Sequence, residues 1–191
     1  STVMCRYGEQ QGSLKGYNPQ KPGRPSHHPL VAFLAEGRRL LWATLRSGNS
    51  GSANGSVEFL KQALTMLPVG HKIGLVRADA GFFEKRLLEY LESEGLAYII
   101  VVRLTEVVRK LVVHVISSKA WRVVARGVEV ADLEVSLPNW KGTQRRFVCL
   151  RQQISERPQA RGKRLIDYPG YTYRVMVTSV PLSLIHISEP T

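Results

Sequence analysis

The sequence is poor in cysteine and has no long apolar run, and both features exclude classes of protein. Cys5 and Cys149 lie far apart without a partnering pattern, which argues against a disulfide framework and against a zinc site. We expect both to be small buried apolar residues. The longest apolar run, residues 96–102, is far shorter than the roughly 20 residues of a membrane-spanning helix, and no secretory leader is evident. We therefore expect a cytoplasmic protein that does not bind membranes.

Acidic residues are also scarce. The chain has 15 Asp and Glu residues against 27 Lys and Arg residues, which gives a net charge of +12 at pH 7. An excess of this sign indicates a polyanionic partner. It is concentrated in residues 141–164, where Glu156 is the one acidic residue and eight residues are basic: Lys141, Arg145, Arg146, Arg151, Arg157, Arg161, Lys163 and Arg164. We interpret this segment as a surface that contacts phosphates; a solvated edge strand with its loop is the alternative.

The chain has the size and composition of one α/β domain with an insertion, or of two small domains: 191 residues, 43% hydrophobic and 22% charged. The hydrophobic pattern predicts a hairpin, a helix, a strand, a second helix and another strand. The expected ranges are 30–35 with 40–45, 56–67, 73–78, 82–93 and 97–103. This order is typical of α/β proteins. We expect Ser56 to cap the first helix, and Phe83, Leu87 and Leu91 to face inward from the second.

The flanking segments follow other patterns. Residues 1–9 alternate as in a strand, and residues 10–29, rich in glycine and proline, predict a long ordered loop or a flexible arm. Residues 105–116 fit a helix capped by Thr105, but their many valines also suit a strand. Further strands are expected at 127–135, 145–151 and 173–178.

Asp79 is the first candidate for a chemical role. It follows directly on the predicted strand 73–78, and open α/β sheets bind ligands at the carboxyl ends of their strands. A carboxylate is also a suitable oxygen ligand for Mg²⁺. A purely structural role as the N-cap of the following helix is the alternative.

Two loops contain further candidates. Lys21, Arg24, His27 and His28 lie in the proline-rich segment, where we expect contact with phosphate or with hairpin DNA; a solvated loop is the alternative. Adjacent histidines point to opposite sides of an extended chain, so a shared metal is not expected. Arg46-Ser-Gly-Asn49 offers a guanidinium and an amide that suit a phosphate or a metal-bound carboxylate, with a simple turn as the alternative.

The last ten residues, 182–191, resemble the translation of an adapter used in sequencing libraries. We expect the natural sequence to stop near Pro181 and exclude this tail from the fold; a genuine polar terminus is the alternative.

Four segments together resemble the Asp-Asp-Glu (DDE) transposases of bacterial insertion sequences, of the DDE domain group 1 type. The matching segments are Gly-Tyr-Asn-Pro at 16–19 with Gly-Arg-Pro-Ser-His-His-Pro-Leu at 23–30, Leu-Arg-Ser-Gly-Asn at 45–49, Leu-Val-Arg-Ala-Asp-Ala-Gly-Phe-Phe at 75–83, and Glu-Arg-Pro-Gln-Ala-Arg-Gly-Lys at 156–163. They occur in order, at spacing similar to that of the family, over nearly all of residues 1–181.

The resemblance implies an α/β fold with an RNase H-like mixed sheet, flanked by helices and interrupted by a β-rich insertion. The expected division is a partial core at 1–103, the insertion at 104–172, a return strand at 173–181 and the tail at 182–191. The implied activity is DNA cleavage and strand transfer with two Mg²⁺ ions, or Mn²⁺ in their place. The implied partners are transposon ends, target DNA and, in the complete protein, a second copy of the chain. Four basic residues of the insertion would lie along the transposon end or its hairpin: Arg157, Arg161, Lys163 and Arg164.

Asp79 matches the second catalytic acid of this family and would ligate metal. The first acid would precede Ser1, and the third, a glutamate, would follow the strand at 173–178; Glu189 in the tail does not replace it. We therefore expect an incomplete transposase chain that is inactive alone, because one carboxylate cannot hold two divalent cations. The alternatives are a non-catalytic nucleic-acid-binding protein on an RNase H-like scaffold and a metal-dependent nuclease that acts on RNA.

Overall fold

The computed structural model of the chain describes residues 3–16, 18, 21–117, 121–154 and 170–181. The chain divides into two compact units. The first unit comprises Ser1–Gly74 with Arg86–Glu94, and the second comprises Leu75–Lys85 with Gly95–Thr191. Among the described residues, no helix is both long enough and apolar enough to cross a membrane.

The first unit begins with a small antiparallel sheet. Its strands are β1 (Met4–Cys5), β2 (Leu14–Lys15) and β3 (Pro25–His27), in the order β1-β3-β2. The expectation of a loop or flexible arm over residues 10–29 is therefore wrong for the part that contains β2 and β3. Within residues 3–9, the described part of the strand expected over residues 1–9, only the two residues of β1 are in a strand. Pairing of both outer strands with β3 satisfies the backbone groups that a loop would leave to water.

Glycines let this sheet lie close to a neighbouring loop. A side chain on Gly16 would lie within 3.0 Å of the backbone of Gly48 and Asn49, and one on Gly48 would meet the carbonyl of Leu14 at 2.5 Å. An isolated antiparallel bridge also joins His27 to Ser47. Glycine is required at both positions because two backbones approach each other there.

The expected hairpin and first helix are present. The hairpin consists of β4 (Leu30–Leu34) and β5 (Arg39–Thr44), and the helix is α1 (Ser56–Thr65). The expected cap is wrong, because Gly55, at φ 69°, occupies the N-cap position and Ser56 is the first helical residue, with its side chain buried. No side chain caps this helix.

The second unit is built on a six-stranded mixed sheet, which confirms the α/β class. Its strands are β6 (Val76–Ala78), β7 (Tyr98–Val101), β8 (Arg122–Ala125), β9 (Val128–Val135), β10 (Arg145–Gln153) and β11 (Tyr171–Thr178). Their order in the sheet is β6-β7-β11-β10-β9-β8. The pair β6–β7 is parallel, and every other neighbouring pair is antiparallel. The exposed edge strand β8 was not predicted.

The expected helix over residues 82–93 is shorter and begins later. A 3₁₀ turn at Ala80–Phe82 comes first, and α2 spans Lys85–Ser93. Leu87 and Leu91 are buried as expected, but Phe83 lies between the turn and the helix. Residues 105–116, for which helix and strand were both open, form a helix, α3 (Glu106–Ser117). The amide of Val108 donates to the hydroxyl of Thr105 at 3.4 Å, consistent with the expected cap.

A row of apolar residues crosses the sheet to the base of Asp79. Ala78, the residue before Asp79, is in register with Ile100, which pairs with Val177, which in turn pairs with Phe147. Ile100, Val177 and Phe147 are fully buried. Strand β6 therefore ends against a fully buried part of this unit.

Cys149 and Cys5 differ in burial. Cys149 lies in β10 and is fully buried, as expected. Burial raises the pKa of its thiol from 9.0 to about 12. Cys5 is only half-buried, and its sulfur accepts a hydrogen bond from the Asn18 amide at 2.9 Å. The expectation of burial is therefore wrong for Cys5, because β1 lies at an edge of its sheet.

Candidate functional site

Asp79 lies directly after β6, at the start of the 3₁₀ turn, and its side chain is exposed. One carboxylate oxygen, Oδ1, accepts a hydrogen bond from the Gly81 amide at 2.8 Å. Asp79 is therefore the N-cap of the turn, which was the structural alternative. An ionised carboxylate accepts at about four lone-pair sites, so capping occupies only part of its capacity. The side chain can cap the turn and still present oxygen to solvent.

The backbone on both sides of Asp79 is held by hydrogen bonds. Before it, β6 pairs with β7, and the amide of Val76 donates to the carbonyl of Ala97 at 2.8 Å. After it, the amide of Phe82 donates to the carbonyl of Asp79 at 3.1 Å, and that of Phe83 to Ala80 at 3.4 Å. These bonds fix the backbone on both sides of Asp79 and so the direction in which its carboxylate points.

Three aromatic rings pack together just beyond the turn. Phe83 has its ring centroid 6.0 Å from that of Trp140 and 6.2 Å from that of Phe147, both edge to face, and Trp140 lies 5.8 Å from Phe147. Arg145 places its guanidinium carbon 4.5 Å from the Trp140 ring centroid. We call these four residues the aromatic cluster. Each ring pair contributes about 0.5–1.5 kcal/mol beyond its buried area.

Sequence reasoning missed this cluster. Trp140 is 2% exposed, Arg145 is 5% exposed, and both are far from Phe83 along the chain. No period or motif connects them. The only available signal was the proline-containing turn at Pro138–Trp140, which ends in an aromatic residue.

The basic segment 141–164 is partly internal, which corrects its interpretation as one continuous phosphate-binding surface. Arg145 is buried against Trp140. Arg146 pairs with Asp132 at 2.7 Å, and Arg151 with Glu129 at 2.6 Å. Arg146 and Arg151 are thus held by acids of β9, and Arg145 is held by its contact with Trp140. Arg157, Arg161, Lys163 and Arg164 lie outside the described residues.

The described residues do not form a complete metal site. Within residues 3–16, 18, 21–117, 121–154 and 170–181, no three His, Cys, Asp or Glu side chains are grouped so that they could hold a metal ion. Asp79 offers oxygen donors of the kind that Mg²⁺ and Mn²⁺ prefer. A two-ion site needs several such ligands, so the chemistry of this donor set fits one ligand of a metal site and not the whole site.

In the first unit, Arg46 holds the loop that leads into α1. Its Nε donates to the carbonyl of His28 at 3.0 Å, and one terminal nitrogen donates to the carbonyls of Gly51 and Asn54 at 3.0 and 2.5 Å. Desolvation lowers the pKa of the guanidinium. The other terminal nitrogen is shielded from solvent and has no hydrogen-bond partner in the described part of the chain. Arg46 thus organises the loop, and its contact with DNA stays a prediction.

Asn49 belongs to the same loop, and His28, which lies between β3 and β4, contacts it. The Nδ1 atom of His28 lies 2.7 Å from the carbonyl oxygen of Ser50, and the backbone amide of His28 donates to the carbonyl of Arg46 at 2.8 Å. Asn49 is exposed, and its side-chain oxygen accepts from the hydroxyl of Ser47 at 2.6 Å. The structure thus brings His28, Arg46 and Asn49 together, while the neighbouring His27 is 5% exposed and offers little surface to a ligand.

Lys21 and Arg24 form a second group around Tyr7. Lys21 donates a hydrogen bond to the Tyr7 hydroxyl, and its Nζ lies 4.9 Å from the ring centroid. Arg24 lies 5.5 Å from the same centroid. The hydrogen bond to Tyr7 raises the pKa of Lys21, so the amine stays charged at neutral pH. Both cations are exposed, and the contribution of Tyr7 was not anticipated from the sequence.

Comparison with known proteins adds one match. A family model described as "Transposase DDE domain group 1" matches residues 1–164. The match includes the Lys21–Arg24 group, the Arg46 loop and Asp79. A search of curated proteins finds no significant match.

Proposed function

Because the chain belongs to the transposase DDE domain group 1 family, we propose that it serves in DNA cleavage and strand transfer at the ends of an insertion sequence. Its partners are then the transposon ends and the target DNA, and it acts in the cytoplasm as part of a homodimer. The single observation that carries the proposal is the family match, which extends over both units.

The proposal assigns Asp79 to the second catalytic acid of the family. Its exposure and its position at the carboxyl end of β6 support this role. When bound, Mg²⁺ or Mn²⁺ would supply charge stabilisation to the reacting phosphate oxygens. Asp79 would contribute one oxygen ligand from the solvent-facing side of its turn. One carboxylate cannot hold two cations in fixed geometry, so we expect this chain to bind DNA without cutting it.

The proposed architecture is an RNase H-like core over residues 1–103 and 173–181, with the β-rich insertion over residues 104–172 and the tail at 182–191. The pairing of β11 with β7 supports this division. Strand β7 precedes the proposed insertion and β11 follows it, so the chain returns to the core sheet after the insertion. Strands β8, β9 and β10 then belong to the insertion and extend the same sheet.

The proposed DNA contacts are phosphate contacts by exposed cations. Lys21 and Arg24 are exposed and share the Tyr7 ring. A pair of cations held at a fixed spacing suits the regular spacing of backbone phosphates. Arg46, Asn49 and His28 would add contacts from the adjoining loop, and His27, at 5% exposure, would add one only through the small part of its ring that reaches the surface. Arg157, Arg161, Lys163 and Arg164 of the insertion complete the proposed set.

Salt-dependent DNA binding tests this function. We expect the affinity for a labelled terminal-repeat duplex, measured by fluorescence anisotropy, to fall with a log–log slope of about −0.9 per phosphate contact. The double variant Lys21→Gln with Arg24→Gln should make the slope shallower by about 1.8. Arg39→Gln with Lys72→Gln removes the same charge from other exposed positions of the first unit and is the matched control.

Two results would contradict the assigned surface. One is an affinity that does not change with salt, and the other is a control pair that weakens binding as much as the Lys21 and Arg24 pair. A marked preference for RNA hybrids over the terminal-repeat duplex would favour a nuclease that acts on RNA.

A further inference from the structure

The aromatic cluster of the second unit, Phe83 with Trp140, Phe147 and Arg145, combines three buried or half-buried rings with a buried cation. Trp140 and Phe147 are among the best-buried residues of the chain, and Arg145 is a buried cation stacked on Trp140. Phe83 is only half-buried, and it comes one residue after the 3₁₀ turn that Asp79 caps. One member of the cluster, Phe83, therefore lies close to the candidate catalytic acid along the chain.

The geometry points to a positioning role for this cluster: Phe83, held by Trp140 and Phe147, fixes the turn that aims the Asp79 carboxylate. This inference rests on the proposed role of Asp79 as a catalytic acid. Phe83 would be a positioning residue and not a catalytic one, because its side chain acts on Asp79 through the intervening backbone.

The 3₁₀ turn after Asp79 needs a fixed contact at its C-terminal end to hold its direction. At its near end, Ala78 is in register with Ile100 in a buried row of the sheet. The turn itself contains Gly81, which has no side chain with which to pack, and it is closed by 3₁₀-type bonds of 3.1 and 3.4 Å. Such bonds are weaker than those of an α-helix. Edge-to-face packing of the Phe83 ring supplies the second fixed point, four residues after Asp79.

The anchor connects two parts of the chain with different proposed roles. Trp140 ends the 3₁₀ turn at Pro138–Trp140, and Phe147 lies in β10, so both rings come from the segment proposed as the insertion. Asp79 and Phe83 belong to the proposed core. The insertion would therefore hold the catalytic acid in place, in addition to any contact that it makes with DNA.

The amide of Gly81 reports this effect directly, because it donates to Asp79 Oδ1. Hydrogen exchange of this amide is measured by ¹H–¹⁵N NMR in the full chain. Phe83→Leu removes the ring and should accelerate Gly81 exchange about tenfold, with global stability measured in parallel. Phe83→Tyr keeps the ring and should retain the protection seen in the unchanged chain. Phe83→Met, which also lacks a ring, is measured alongside in case the leucine variant does not fold.

Trp121→Leu is the matched control. Trp121 is a second tryptophan of the same unit, stacked on Arg151 at 4.2 Å and 6.3 Å from Tyr173, and its aromatic contacts within the described part of the chain do not include Phe83. It should leave Gly81 exchange unchanged. The inference is overturned if Gly81 exchanges equally fast in Phe83→Leu, Phe83→Met and the unchanged chain, or if Trp121→Leu accelerates it as much. The salt-dependent DNA binding described above is independent of this measurement, so failure of the proposed function is distinguishable from failure of the positioning role.

Discussion

At the scale of single residues, Asp79 has the capping role that was the structural alternative, and this role is compatible with the proposed role as a metal ligand. Its carboxylate caps the following turn through the Gly81 amide and remains exposed. Its place could be predicted because the largely apolar segment 73–78 indicates a strand and the acid follows it directly. The way in which Phe83 secures the turn could not, since that contact depends on Trp140, which is distant in sequence.

Individual arginines show why the number of basic residues in a segment does not by itself locate a DNA-binding surface. Segment 141–164 does contain an excess of basic residues. Two of them, Arg146 and Arg151, are nevertheless paired with acids of β9. That pairing depends on strand register, in which Arg151 lies opposite Glu129. Register between strands is set by the folded sheet, so the sequence alone could not separate these internal cations from those available to DNA.

Cys149 leads to a prediction about alkaline pH. Burial raises the pKa of its thiol from 9.0 to about 12, so the folded chain holds this proton more tightly than the unfolded chain. The contribution to stability is present below pH 9.0 and is lost as the pH rises from there towards 12. We expect the free energy of unfolding, measured with urea, to fall over this range more steeply in the unchanged chain than in Cys149→Ala. Parallel pH profiles for the two proteins would contradict this expectation.

At the scale of elements, hydrophobic periodicity located most helices and strands, and local backbone chemistry decided where they begin. The hairpin β4–β5 and the helix α1 occur where they were expected. The expected helix over residues 82–93 begins later because Asp79 caps a 3₁₀ turn and Phe83 leaves the helical path. Strands β2 and β3 were missed because two- and three-residue strands give no measurable alternation.

The start of α1 gives a prediction about glycine. Gly55 precedes the helix at φ 69°, and a side chain there would meet no atom within 4 Å, so only the backbone conformation opposes substitution. We expect Gly55→Ala to lower the free energy of unfolding by about 1 kcal/mol. Gly74→Ala is the control, because Gly74 also has open space around it but no positive φ. It should be neutral or stabilise by up to about 1 kcal/mol. Equal effects of the two substitutions, measured by urea unfolding, would show that backbone conformation does not govern Gly55.

At the scale of the whole molecule, the proposed DNA partner fits the family, which implies DNA binding, and the +12 net charge, which indicates a polyanionic partner. The α/β class was predictable because the order of elements and the apolar strands are encoded locally. The β-rich character of residues 121–154 was predictable only in part, since edge strand β8 is short, exposed throughout and shows no alternation of apolar and polar residues. The candidate acid was predictable as well, and the cluster that supports it was not.

The most direct test of the account combines DNA binding and cleavage in one experiment. The purified chain is incubated with a labelled terminal-repeat duplex and Mg²⁺ or Mn²⁺, and bound and nicked DNA are resolved side by side with Asp79→Asn as the control. The account predicts a salt-sensitive complex without nicking in either protein, because one carboxylate cannot hold two cations. Nicking by the unchanged chain that is lost in Asp79→Asn would contradict it.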